Sequence, residues 1–117
     1  MIKPRPLPRL RVQIPFERSF TQSEFLRLSR GFVAGSMEDR WNIFFKDPWL
    51  TFVRSWTGFC IYKVRIEKNG FEHRVTKVLI NRDRRQYGGD DTQEEANLLS
   101  FLIDGMLLAA RDFRRDF

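Results

Sequence analysis

The side chains best placed for chemistry in this sequence are aromatic and cationic, and they interleave over residues 37–67. All three tryptophans lie there, at Trp41, Trp49 and Trp56. Trp56 stands in the run R-S-W-T-G at 54–58, and Lys63 and Arg65 follow at alternate positions. An aromatic ring offers a π-face to a base, while a guanidinium grips phosphate through two parallel hydrogen bonds. On one face, these types would suit a base or adenine ring beside a phosphate. They would equally suit cation–π pairing and snorkelling at the edge of a core, which needs no ligand.

Other chemistries are poorly represented. One histidine, His73, and one cysteine, Cys60, do not make a usual zinc site. No Ser/His/Asp or Cys/His grouping is visible, and Cys60 sits where a small hydrophobe would sit. There is no dinucleotide or P-loop glycine pattern, and Gly88-Gly89 is too little for a phosphate loop. Two acidic pairs occur. Asp90-Asp91 is accounted for by helix capping and the helix dipole. Glu38-Asp39, beside Arg40, is the one pair with the makings of an acid and a base. The expectation is no catalytic residue, no metal and no cofactor.

These residues need a frame, and the turn and periodicity signals supply one. Leu10, Val12 and Ile14 alternate as one edge strand ended by Pro15. Thr21-Gln-Ser-Glu24 is a capping box opening a short helix over 22–30, with Gly31 as its stop. Three strands follow, broken by Asp47-Pro48 and Thr57-Gly58, and Asn69-Gly70 turns the chain into a fourth near 72–81. Thr92-Gln-Glu-Glu95 reads as a second capping box. Leu99, Leu102, Ile103, Met106, Leu107 and Ala110 continue it as a long amphipathic helix over 93–113. Arg111, Arg114 and Arg115 suit its negative end. The fold class is α+β: an antiparallel meander of four to five strands, a short N-terminal helix and a long C-terminal amphipathic helix.

Tight turns at those signals pair Asp47 with Leu50, Trp56 with Phe59 and Lys68 with Phe71. That register puts Trp41, Arg54, Trp56, Lys63 and Arg65 on one face, and Trp49, Cys60, Tyr62 and His73 on the other. Both faces are substantially apolar, where a half-exposed antiparallel sheet alternates apolar and polar. Two helices cover one face well and two poorly. A second copy of the chain, the N-terminal arm or a ligand is expected to cover the rest, so a homo-oligomer is one expectation.

With 117 residues, the chain is expected to form a single domain, 1–117. Residues 1–9 form a basic arm with Pro4, Pro6 and Pro8 between cations, either an arm for an anionic partner or a loosely ordered terminus. The formal net charge of +6 and a pI near 10.1 favour an anionic partner, or serve solubility alone. The single cysteine suits a reducing cytoplasm, and no run approaches the roughly 18 apolar residues of a membrane span. The first ten residues lack the apolar stretch of a signal peptide.

M-E-D-R-W at 37–41, R-S-W-T-G at 54–58 with I-Y-K-V at 61–64, and N-R-D with Q-Y between 81 and 87 resemble a small bacterial and phage domain. That domain occurs alone or beside ADP-ribosylglycohydrolase-like modules. The likeness spans about half the chain and extends weakly to S-F-L-I at 100–103. It implies a link to ADP-ribose or nucleotide-derived chemistry. It does not imply glycohydrolase activity, because the acidic metal-binding motifs of that enzyme are missing.

The reading that follows is non-catalytic binding, as by sequestration, of an anionic nucleotide-derived small molecule in prokaryotic or phage defence. Trp41 and Trp56 would stack the base or pack the ribose. Arg54, Lys63 and Arg82 would hold phosphate, and Ser55, Thr57 and Asn81 would add neutral hydrogen bonds. The rival readings are a protein-interaction module docking on an acidic partner, and a nucleic-acid binder. The second ranks lower because the cations are dispersed among acids along the sequence.

Overall fold

The computed structural model describes residues 2–109. Its strands are β1 (Arg11–Ile14), β2 (Ser19–Phe20), β3 (Trp41–Lys46), β4 (Trp49–Arg54), β5 (Cys60–Asn69) and β6 (Glu72–Asn81). Helix α1 (Gln22–Ser29) lies between β2 and β3. Helix α2 (Thr92–Leu102) continues as a π-helical segment, Ile103–Ala109. The strands form one antiparallel sheet in the order β1-β6-β5-β4-β3, with β2 also on β6. The expected α+β meander between a short and a longer helix is therefore present. The expected continuation of this helix over residues 110–113, with Arg111, Arg114 and Arg115, lies outside the described residues.

Local signals explain most of the elements. Thr21 Oγ1 accepts from the Glu24 amide at 3.1 Å, and Glu24 Oε1 accepts from the Thr21 amide at 2.9 Å, so the first capping box is complete. Gly31, at φ 67°, lets the chain leave α1. Its missing Cβ also admits the Ile43 carbonyl, and Phe32 then pairs with Ile43 at the edge of β3. The second capping box does not form. Asp91 is the N-cap of α2, accepting from the Gln93 and Glu94 amides. Glu95 is thereby released to turn inward.

One face of the sheet carries the main core. Leu28 of α1 and Leu99, Leu102, Ile103 and Leu107 of the last helix pack with Ile43, Leu50, Phe52, Val64, Val78 and Ile80. On the other face Leu7 is buried against Val53 and Cys60, beside Leu79. Burying one leucine contributes about 1.5–3 kcal/mol, which fastens the proline arm. Its backbone is held too, by the Arg5 amide donating to the Gly58 carbonyl at 2.8 Å. The arm is thus a packed part of the fold rather than a loose terminus, and it covers one end of the second face.

The expected registers are corrected at every turn. Asp47 and Pro48 are the two central residues of their turn, joined by a cis peptide, so Lys46 pairs with Trp49. Gly70 and Phe71 are central in the next hairpin, and Asn69 pairs with Glu72. Only Gly70 has positive φ there, the pattern of a type II′ turn rather than I′. These two shifts are of two residues and preserve parity. The decisive change is on β5. Val53 pairs with Cys60 and Phe52 with Tyr62, which leaves Ile61 as a bulge. One extra residue moves everything beyond it to the opposite face. Lys63 and Arg65 therefore stand with Trp49, not with Trp41 and Arg54. A second irregularity, from Arg65↔Lys77 to Ile66↔Val75, adds a residue to β6 at Thr76.

Candidate functional site

The ends of β3 and β4 are joined through their loops. The Ser55 amide donates to the Arg40 carbonyl at 2.9 Å, and Ser55 Oγ donates to the Asp39 carbonyl at 2.6 Å. Asp39 Oδ2 accepts from the Gly35 amide at 2.9 Å, which organises its own loop. Residues 55–59 make the opposite wall, closed by the Gly58 amide donating to the Arg54 carbonyl at 2.8 Å. Gly58 sits at φ 77°, and a Cβ there would meet the Lys3 carbonyl oxygen at 2.5 Å. A third segment enters from the β6–α2 connection. Fully buried Asn81 donates to the Cys60 carbonyl at 2.8 Å and to Gln86 Oε1 at 2.9 Å, and it accepts from the Asp83 amide.

These three segments enclose a cavity of about 300 Å³ lined by Arg40, Arg54, Trp56, Thr57, Phe59 and Gln86. Trp56 is 62% exposed. Its indole N–H donates to the Met37 carbonyl at 3.0 Å, which fixes the ring plane. The same indole borders a larger, open recess of about 770 Å³ towards Ala34, Ser36 and Asn42. The Arg54 guanidinium lies 4.5 Å from the centre of the Trp41 ring. Arg5, from the arm, lies 5.3 Å from the centre of the Phe59 ring. Neither Arg40 nor Arg54 has a carboxylate partner among the described residues. The cavity is an aromatic notch beside two arginines that form no ion pair among the described residues.

Behind it is a buried polar layer. Arg82 makes two hydrogen bonds to Glu95, at 2.7 and 2.5 Å, and the carboxylate raises the Arg82 pKa further. The Tyr62 and Tyr87 hydroxyls are 3.4 Å apart. Burial raises both phenol pKa values, so each hydroxyl keeps its proton at neutral pH. Burial likewise pushes the Cys60 thiol up to about 12. While it stays buried, that thiol is held protonated at neutral pH.

Of the eight expected site residues, Arg54, Trp56 and Thr57 come together at the cavity. Ser55 and Asn81 build its frame through the bonds above. Trp41 is 6% exposed, stacked on Tyr62 at 5.7 Å and covered by Arg54, so it offers no open ring face. Arg82 is occupied by Glu95 rather than free for phosphate. Lys63 is on the opposite face of the sheet, 5.1 Å from the Trp49 ring centre. Arg40, Phe59 and Gln86 are additional lining residues. Arg40 and Gln86 belong to the M-E-D-R-W and Q-Y segments, so short motifs far apart in sequence meet at one cavity.

No protein-family model matches the chain, and no curated protein or solved structure matches it either. Among the described residues, no helix is long and apolar enough to cross a membrane.

Proposed function

We propose that the cavity binds an anionic, nucleotide-derived small molecule of the ADP-ribose or cyclic-nucleotide kind, and that the protein sequesters it without chemistry. The observation that carries this reading is the pairing of Arg40 and Arg54, free of carboxylates among the described residues, with the exposed Trp56 in one concave site. Arg40 and Arg54 hold phosphate, Trp56 stacks the base or packs the ribose, and Phe59 supplies an apolar wall. The Thr57 hydroxyl and Gln86 amide add neutral hydrogen bonds. A volume of about 300 Å³ accommodates one nucleotide-sized group, at the small end of the range of roughly 300–1,000 Å³ for ligand pockets. A larger ligand continues past Trp56 into the open recess.

The test is a thermal-shift screen at moderate salt with ADP-ribose, its cyclic isomers, NAD and cyclic dinucleotides. A ligand that binds only the folded state raises the melting temperature by mass action. One nucleotide from this panel is expected to do so, and Arg54→Ala to weaken it about tenfold or more, the loss of a charge-assisted hydrogen bond. An unchanged shift in Arg54→Ala and Trp56→Ala would place the ligand elsewhere.

A second reading is docking of an acidic protein. The observation that favours it is the exposure of Met37 beside Trp56, an apolar rim of the kind found at interface anchors. It predicts that no free nucleotide binds, and that Arg5 and Met37 contribute as much to partner affinity as Arg54.

A further inference from the structure

The bulge at Ile61 has a second consequence, on the face of the sheet away from the helices. It aligns Lys46, Trp49, Arg65 and Lys77 in one unbroken row across β3, β4, β5 and β6. The adjacent row reads Phe44, Thr51, Lys63 and Leu79. Three strand spacings make this stripe about 14 Å long. Arg74 continues the charge on β6, opposite Glu67. Among the residues of β3 to β6, the carboxylates on this face are Glu67 and Glu72, towards the hairpin tip. Glu67 pairs with Arg65 at 3.3 Å, with both side chains more than two-fifths exposed, a contact worth little in water. Arg65 Nε is itself buried and has no hydrogen-bond partner among the described residues. The arm covers the Val53–Cys60 end of the face and packs beside Leu79 of the second row, while Phe44 on the far strand is 37% exposed.

Along the sequence these cations alternate with acids and core residues. On the sheet they make a basic stripe with aromatic members. A linear polyanion with regularly spaced phosphates meets successive cations across such a stripe, and unstacked bases find ring and guanidinium planes in Phe44 and in Arg65 over Trp49. The face of a many-stranded sheet offers no helix or two-stranded ribbon to enter a duplex groove. We infer that this face binds single-stranded nucleic acid through Lys46, Lys63, Arg65 and Lys77, independently of the cavity at Trp56.

The test is fluorescence anisotropy of a short labelled oligothymidylate, titrated with the full chain at several salt concentrations. Binding is expected to weaken with salt at a slope of about −0.7 per neutralised phosphate, hence roughly −2 to −3 for three or four contacts. Lys63→Glu with Arg65→Glu is expected to weaken binding at low salt about tenfold or more and to flatten that slope. Lys46→Glu with Lys77→Glu does the same should the first pair fail to fold. Arg40→Ala with Arg54→Ala leaves oligonucleotide binding unchanged, which separates this surface from the cavity. The inference is overturned by no anisotropy change at low salt, or by equal losses in the cavity variant. Displacement by polyglutamate as effective as by unlabelled oligonucleotide, or self-association that buries this face, overturns it too.

Discussion

Arg54 and Arg82 carry the same group into different surroundings. Arg82 is bound to Glu95, whose side chain is 3% exposed, and its donors are consumed. Arg54 lies over an indole and has no carboxylate partner among the described residues. Glu95→Ala should therefore cost about 3 kcal/mol in urea unfolding, the penalty of breaking a buried pair. His73 gives a second residue-scale expectation. Its Nε2 is 2.6 Å from Gln22 Oε1, its ring stacks on Phe25 at 3.8 Å, and burial, with Lys68 nearby, lowers its pKa below the usual 6.5. The unfolded chain then binds the proton more readily than the folded one. Stability should be fully present above pH 6.5 and fall as the pH drops from there towards the folded-state value. Urea titrations across that window should show the loss in the native protein and a flatter profile in His73→Gln.

The elements were legible where local chemistry is specific. The Thr21 capping box, the Gly31 stop, the edge strand before Pro15 and the apolar stripe from Leu99 to Leu107 all correspond to structure. Registers were not legible, and the reason is physical. Alternation fixes register only when one face is polar. Here Val53, Cys60, Ile61 and Tyr62 are all buried, so a one-residue bulge leaves no trace in the hydrophobic pattern. That slip moved Lys63 out of the expected site. Arg82 was misread for a related reason, since Thr92 and Glu95 imitate a capping box while Asp91 takes the cap. The arm offers a test at this scale. Leu7→Ala should loosen its packing by about 2 kcal/mol, making the open arm roughly thirtyfold more populated. Alkylation of Cys60 by N-ethylmaleimide should accelerate accordingly. An unchanged rate would mean that the arm does not seal the thiol.

At the scale of the molecule, one sheet separates two environments. The helices cover one face, and the cavity opens at its rim, where the loops at 35–40 and 55–59 meet the 82–91 connection. The other face is capped by the arm at one end and carries a row of cations along the rest. The net charge of +6 is thus not spread evenly. Part of it converges on a notch beside Trp56, and part lies along β3 to β6. The most direct measurement of the central claim is calorimetric titration of the nucleotide panel into the native protein and into Arg40→Ala with Arg54→Ala. One-to-one binding of a single nucleotide-derived anion is expected, lost in a double variant that melts like the native protein. Equal affinity in the two proteins, or no heat from any member of the panel, would contradict it.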